Sequence, residues 1–432
     1  MKKRMMLWGL LFWLMIPIGW IGTYAEAAET PNIQPINRTT VNGMTVLLQK
    51  SESPVVSFTL LLKSGSGLDP VNRKGTAEIM NSLVYLKLSN TQDKLSQVNL
   101  MTYPDYTLIT IKSSPGDVDT VLKEIKELLS YPLYEYDIIS DLKKLYSTDL
   151  KAIPGYARAY YELGKEFYGV NHPYNDLMNP ETMLSITGHD VYRWYRQTYQ
   201  PGNAILSISG GIGQDIKYIE KFFANMLSEK VDRSLMIQPV IPEQTKQMEL
   251  EDPNGRIASI GFAYAAPRLQ DPEYPAFRIL TYYLEEYQHY FDELRVKSGL
   301  IYAGFVMYNY LEKPKAPNII FLTMTSPEKL NKVESKTTEV VNQLINRGID
   351  QAIIEKVVKA IKTEAEAAKK AGNGIATRNA LSYYLQNQII YDENLWPKLE
   401  KVKTDDIKAA AAKYLKNYVR VSYIPKEIAE NF

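Results

Sequence analysis

The chemistry open to this chain is narrow. It has no Cys, which excludes thiolate nucleophiles, disulfides and Cys-ligated zinc or iron–sulfur sites. Its three His, His172, His189 and His289, are too scattered for a local His-rich metal site. No G-x-S-x-G elbow or P-loop occurs. Gly210-Gly211-Ile212-Gly213 follows a strand pattern but lacks the third Gly and the acidic partner of a dinucleotide site. Lys+Arg 50 against Asp+Glu 49 leaves a net charge of +1, so the basic footprint of a nucleic-acid binder is missing. With 45% hydrophobic and 23% charged residues the chain nevertheless has the balance of a folded globular protein. At 432 residues it is too long for one ordinary core.

The elements that must position any site occur twice, at an offset of about 200–215 residues. An apolar, β-branched run opens each copy, Val55 to Leu62 and Ile257 to Tyr264, and a helical segment follows, Gly75 to Leu86 and Tyr274 to Glu285. Alternating strands, Tyr106 to Ile111 and Ile319 to Thr325, then run into Ser114-Pro115 and Ser326-Pro327. Each Ser-Pro leads to an amphipathic helix. In the first, Asp117 is the expected N-cap of a face made by Val118, Val121, Leu122, Ile125 and Leu129. The second runs from Leu330 to Ile345 and ends at Gly348. The copies also close alike. A helix over His189 to Tyr199 feeds a strand over Asn203 to Ser209, and Asp405 to Tyr414 feeds Tyr418 to Tyr423. The pattern predicts two tandem homologous α+β units, 33–237 and 247–432, joined by a polar, Pro-containing linker at 238–246.

The first residues predict export. Lys2, Lys3 and Arg4 precede the uncharged stretch Met5 to Gly22, and Ala25-Glu26-Ala27 supplies a small-x-small cleavage site. Residues 1–27 are thus expected to be a removed signal. The 18 uncharged residues also approach a membrane-spanning length, so a retained anchor, with membrane contact, is the alternative.

Five strings occur in order: Lys63-Ser64-Gly65-Ser66, Lys74-Gly75-Thr76-Ala77, His172-Pro173-Tyr174, Tyr199-Gln200-Pro201-Gly202-Asn203 and Leu294-Arg295-Val296-Lys297-Ser298-Gly299-Leu300-Ile301-Tyr302. Together they resemble the insulinase-like M16 zinc peptidases, of the pitrilysin or mitochondrial-processing-peptidase type. The resemblance covers the chain from about Asn42 onward and implies a mostly antiparallel sheet packed with helices in each unit. The family's zinc motif is H-x-x-E-H, two His at i and i+4 on one helix face with a Glu as general base. Here Glu78-Ile79-Met80-Asn81-Ser82 stands in its place, with Asp149 aligned to the third ligand. An amide cannot take a proton from water at neutral pH, and a hydroxyl is a poor zinc ligand. No zinc or other cofactor is therefore expected on this chain. Glu78 and Asp149 could still contribute to a site for a harder cation, although such ions want six or more oxygens.

The resemblance implies that Arg295 and Tyr302 bind substrate backbone and stabilise the tetrahedral intermediate; a guanidinium and a phenol are donors suited to a developing oxyanion. An R/Y element without a zinc motif implies a non-catalytic subunit of an exported peptidase heterodimer. It would supply this wall, in trans, to a homologous zinc-bearing subunit acting on peptides. A scaffold or peptide-binding protein, and a peptidase with an atypical metal site, are the alternatives. Elsewhere, Ile353 to Lys370 reads as a charged, solvated helix closed by Gly372-Asn373-Gly374. Tyr282, Tyr283, Tyr287 and Tyr290 read as packing between the halves, or as the floor of a peptide channel, and His189 and His289 as surface or cap residues. N-terminal sequencing of exported protein is expected to begin near Ala28; a membrane-bound chain retaining Met1 to Gly22 would establish the anchor instead.

Overall fold

The computed structural model describes residues 35–90, 97–130, 136–151, 153–175, 178–227, 233, 235–252, 255–370, 374–387 and 391–426. The signal at 1–27, Gly372 and Asn373 lie outside the described residues, as do the side chains of Asp149, Lys369 and Lys370.

In the first half, β1 (Asn37–Val41), β2 (Met44–Lys50) and β3 (Val56–Leu62) precede α1 (Thr76–Ser89). The hairpin β4 (Gln97–Thr102) and β5 (Thr107–Ser113) follows, then α2 (Val118–Leu128), α3 (Tyr136–Lys151), α4 (Gly155–Tyr168), α5 (Pro180–Ser185) and α6 (Gly188–Thr198). β6 (Ala204–Gly210) and α7 (Ile216–Phe223) end this half. The second half runs β7 (Lys246–Asp252), β8 (Ala258–Ala265), α8 (Tyr274–Glu285), β9 (Ala303–Tyr308), β10 (Asn318–Thr325), α9 (Leu330–Arg347) and α10 (Gln351–Lys370). It closes with α11 (Ile375–Gln386), α12 (Tyr391–Leu399), α13 (Thr404–Tyr414) and β11 (Tyr418–Pro425).

Two sheets result, ordered β1-β2-β6-β3-β5-β4 and β7-β11-β8-β10-β9. Apart from the extra edge strand β1, they correspond strand for strand. Each is antiparallel except at one pair, β2 with β6 and β7 with β11, where the last strand of the half returns parallel to an early one. The fold is thus α+β and duplicated. Residues 235–245 carry no helix or strand, as a Pro-containing connection should. The predicted amphipathic faces are buried, including Val118, Val121, Leu122 and Ile125 of α2 and Val333, Val340, Val341 and Leu344 of α9. Asp117 stands at the N-cap position of α2 as expected, but its carboxylate makes no capping bond and instead accepts a 2.7 Å hydrogen bond from Ser114 within the Ser-Pro turn.

The halves exchange a helix. α4, from the first half, packs on β8 and β11 of the second sheet, while α11, from the second half, packs on β3 and β6 of the first. Ala159, Leu163, Phe167 and Tyr168 of α4 belong to the second half's core. Gly261 makes the approach possible, because a Cβ there would stand 2.4 Å from a Leu163 methyl. Arg158 faces Asp252 at 3.7 Å, and the Tyr168 hydroxyl donates to the Ala316 carbonyl at 2.7 Å. α11 is seated differently. Its apolar contact is a small cluster in which Ala380 meets Leu47, Leu61, Leu108 and Ile205. Polar pairs complete the seat: Thr59 with Thr377 at 3.0 Å, and Asn379 donating to Gln49 at 2.8 Å. Leu163→Ala is expected to lower the unfolding free energy by about 2–5 kcal/mol, as other buried Leu truncations do, measured by denaturant unfolding of the whole chain.

Candidate functional site

The polar residues of α1 are held in place from several directions. The helix opens at Gly75, whose φ of 103° puts it in the left-handed region. The Asp69 carboxylate caps it, accepting from the Gly75 and Ala77 amides at 2.8 and 2.9 Å. An anion at a helix N-terminus offsets the positive end of the peptide dipoles. Asp69 lies six residues upstream, outside the usual N-cap spacing, and local motif reading does not find it.

Glu78 and Ser82 stand one turn apart, where two imidazoles would face a metal. The Tyr146 hydroxyl from α3 lies between them, donating to Glu78 Oε1 at 3.2 Å and sharing a 2.7 Å hydrogen bond with Ser82 Oγ. Because the phenol proton is spent on Glu78, Ser82 is the donor in the second bond. Asn81, buried, is saturated. Its Nδ2 donates to Thr102 Oγ1 at 2.8 Å and Thr107 Oγ1 at 3.3 Å, and its Oδ1 accepts from the Tyr199 hydroxyl at 2.8 Å. Burial pushes the Tyr199 hydroxyl well above its usual range, so it remains a donor. Tyr146 was not identified from sequence, although it lies one helical turn before Asp149. Tyr199 was singled out only within the Tyr199–Asn203 string, not as a partner of Asn81. Asp149 itself is on α3, its side chain outside the described residues.

These residues do not fit a zinc ion. Imidazole is missing from the motif, the i and i+4 groups are bridged by a phenol, and the amide at the base position has no free acceptor directed at water. Among the described residues, no group of three or more His, Asp or Glu could hold a metal ion.

Arg295 and Tyr302 belong to the other half and to one turn. Arg295 lies within a π-helical stretch, Asp292–Val296, a rare conformation that recurs at functional sites. Its Nη1 donates to the Ile301 carbonyl at 2.7 Å, and Gly299, at φ +60°, turns the chain between them. The Tyr302 amide donates to Met324 O at 2.8 Å, where the chain enters the edge strand β9. Arg295 is exposed and Tyr302 is 53% exposed. Glu293 fixes the base of the turn through Lys297 at 2.6 Å and Lys336 of α9 at 2.9 Å. Their hydrogen bonds, that of Lys297 foremost, hold its carboxyl down at about 2 against the effect of burial.

Two expectations nearby are corrected. Tyr282 and Tyr290 do not pack between the halves: they bond Glu364 and Thr337 of their own half and lie in that half's core. His289 is no plain surface residue. It stacks on Tyr283 at 4.4 Å and shares a 2.9 Å hydrogen bond with it, and burial lowers its pKa. His189 is exposed, bonded to Arg193.

Residues 185–361 match the family described as the peptidase M16 inactive domain. The chain is M16-like. No curated protein matches it by sequence. Among solved structures, a protease from Helicobacter pylori superposes with a TM-score of 0.79 at 16% identity, covering 90% of this chain and 99% of the other. A peptidase M16 inactive domain from Pseudomonas fluorescens gives 0.77 at 19% identity, covering 91% and 98%. The periplasmic protease PqqL from Escherichia coli gives 0.75 at 13% identity, covering 95% of this chain and 48% of that one. At such identities the likeness is one of fold. In this M16-like chain the Arg295–Tyr302 turn lies inside the matched stretch, and the degenerate motif at 78–82 lies before it. Tyr199→Phe should strand the buried Asn81 Oδ1 and cost about 1–3 kcal/mol in chemical unfolding.

Proposed function

We propose that this chain is the non-catalytic subunit of an exported M16-type peptidase pair, its Arg295 and Tyr302 facing a peptide held against the zinc of a homologous partner. Its units are 33–237 and 247–432, joined at 238–246. One contrast carries the reading. Where the family holds a metal, the polar groups of α1 are bonded to Tyr146, Tyr199, Thr102 and Thr107. The Arg295–Tyr302 turn keeps its side chains toward solvent.

The chemistry follows from that contrast. Arg295 spends one donor on the Ile301 carbonyl, which fixes the guanidinium, and retains further N–H groups for a substrate carbonyl. Tyr302 can supply a second donor to the oxygen that gains charge when water attacks the peptide carbonyl. The nucleophile and its base belong to the partner in this reading. The match to an inactive domain, and a fold neighbour described as a periplasmic protease, support it.

Peptide cleavage by the zinc-bearing partner, alone and mixed with this chain, tests the proposal. Tyr302→Phe removes one hydroxyl and little volume. It should lower turnover of the mixture about 10²–10³-fold without dissociating it, as loss of an oxyanion donor does. The chain alone should be inert with or without added zinc. A partner equally active without this chain, or unaffected by Tyr302→Phe, would leave the chain a scaffold.

A further inference from the structure

The seam where α11 meets the first half encloses a carboxyl group that neither the fold nor the proposed function accounts for. Asp105 sits at the tip of the β4–β5 hairpin and is fully buried. Both halves reach its Oδ2: the Tyr174 hydroxyl from the first and the Tyr384 hydroxyl of α11 from the second, each at 3.2 Å. Tyr384 also lies 3.2 Å from the Asp105 carbonyl oxygen. Oδ1 is buried without a hydrogen-bond partner. A buried ionised carboxylate with half its acceptors empty is costly, and proteins rarely retain one without a reason.

The hairpin tip cannot move away. Ser66 and Gly67 amides donate to the Tyr103 and Pro104 carbonyls at 3.0 and 2.7 Å. A Cβ at Gly65 would stand 1.8 Å from the Tyr103 oxygen, so only glycine permits this contact. Relief has to come from the other side, where α11 rests on a small apolar cluster and a few polar pairs.

We propose that Asp105 is a proton-operated latch between the halves: its neutral form tightens the docking of α11 on the first sheet, and its ionised form loosens it. Every element around the carboxyl contributes to the balance. On its own hairpin are Tyr103 and Tyr106, the latter bonded to the Leu311 carbonyl at 2.9 Å. The loop after α4 brings Tyr174, and α11 brings Tyr384. The segment before β10 brings Glu312, a like charge facing the tyrosines, and Lys315, whose ammonium favours ionised Asp105. Burial outweighs Lys315 and the tyrosine hydrogen bonds, and the carboxyl is pushed up to about 6. Released into water it would return toward 3.8, so the docked state binds the proton more tightly. Docking therefore strengthens as pH falls through about 6, levelling off below about 4.

Hydrogen exchange on the full chain, corrected for intrinsic rates, separates the latch from general stability. From pH 7.5 to pH 5, protection of 375–386 should rise about tenfold relative to that of 155–168, the reciprocal helix. Asp105→Asn should give high protection at both pH values and abolish the difference. Tyr384→Phe should lower protection at pH 7.5 while keeping the pH response, and it serves where the Asn variant folds poorly. The latch is overturned if the two helices change in parallel, if Asp105→Asn keeps the wild-type response, or if Tyr384→Phe leaves protection unchanged at pH 7.5.

Discussion

The architecture depends on one close approach, the Leu163 side chain of α4 filling the space over Gly261 in the second sheet. Without it the first half's helix has no seat, and the second half's core loses part of its wall. The contact is apolar and deep, so it acts as a fixed joint. Its counterpart, α11 on the first sheet, is seated by Ala380, by the partly buried Leu381, Tyr383 and Tyr384, and by hydrogen bonds of Thr377 and Asn379. A duplicated chain has thereby made two equivalent joints unequal, and an internal joint of lower apolar content is where an opening motion costs least.

The polar residues of α1 at 78–82 form a structural node. Asn81 ties α1 to the β4–β5 hairpin and to the end of α6, and Tyr146 ties it to α3. Saturated buried polar networks rigidify, because each group leaving its partner forfeits a bond it cannot replace. The Arg295–Tyr302 turn has kept the opposite character, anchored at its base by Glu293 and open at its rim. One half of the chain thus holds its polar groups rigidly, and the other presents donors to solvent.

Much of this was legible in the residues. Period-2 and period-3.6 patterns located β3, β8, β10, α2 and α9, and the recurrence of Ser-Pro before an amphipathic helix exposed the duplication. Those signals are local and strong. The helix exchange was not legible, since the apolar faces of α4 and α11 do not say which sheet covers them. The same limit applies at the site. The degenerate motif identified Glu78, Asn81 and Ser82, but their partners Tyr146 and Tyr199 lie 64 and 118 residues away, and nothing local links either tyrosine to α1. Asp117 was located correctly at the N-cap of α2, but a Ser-Pro turn offered its carboxylate a nearer donor than the helix amides. Tyr282 and Tyr290 misled because a stripe of rings marks burial without naming the surface that buries it.

The exchanged helix also sets an order of events in time. α4 ends at Tyr168, but its seat includes β11, which ends at Pro425. A ribosome adding about 5–20 residues per second needs on the order of ten to fifty seconds to cover that interval. Leu163 has no sheet to cover it until β8 (Ala258–Ala265) is made, and its seat stays incomplete until β11 arrives. Contacts so distant in sequence slow folding and lengthen exposure to aggregation. A nascent chain of this design calls for a chaperone, or a channel that keeps it extended, until the last strand arrives.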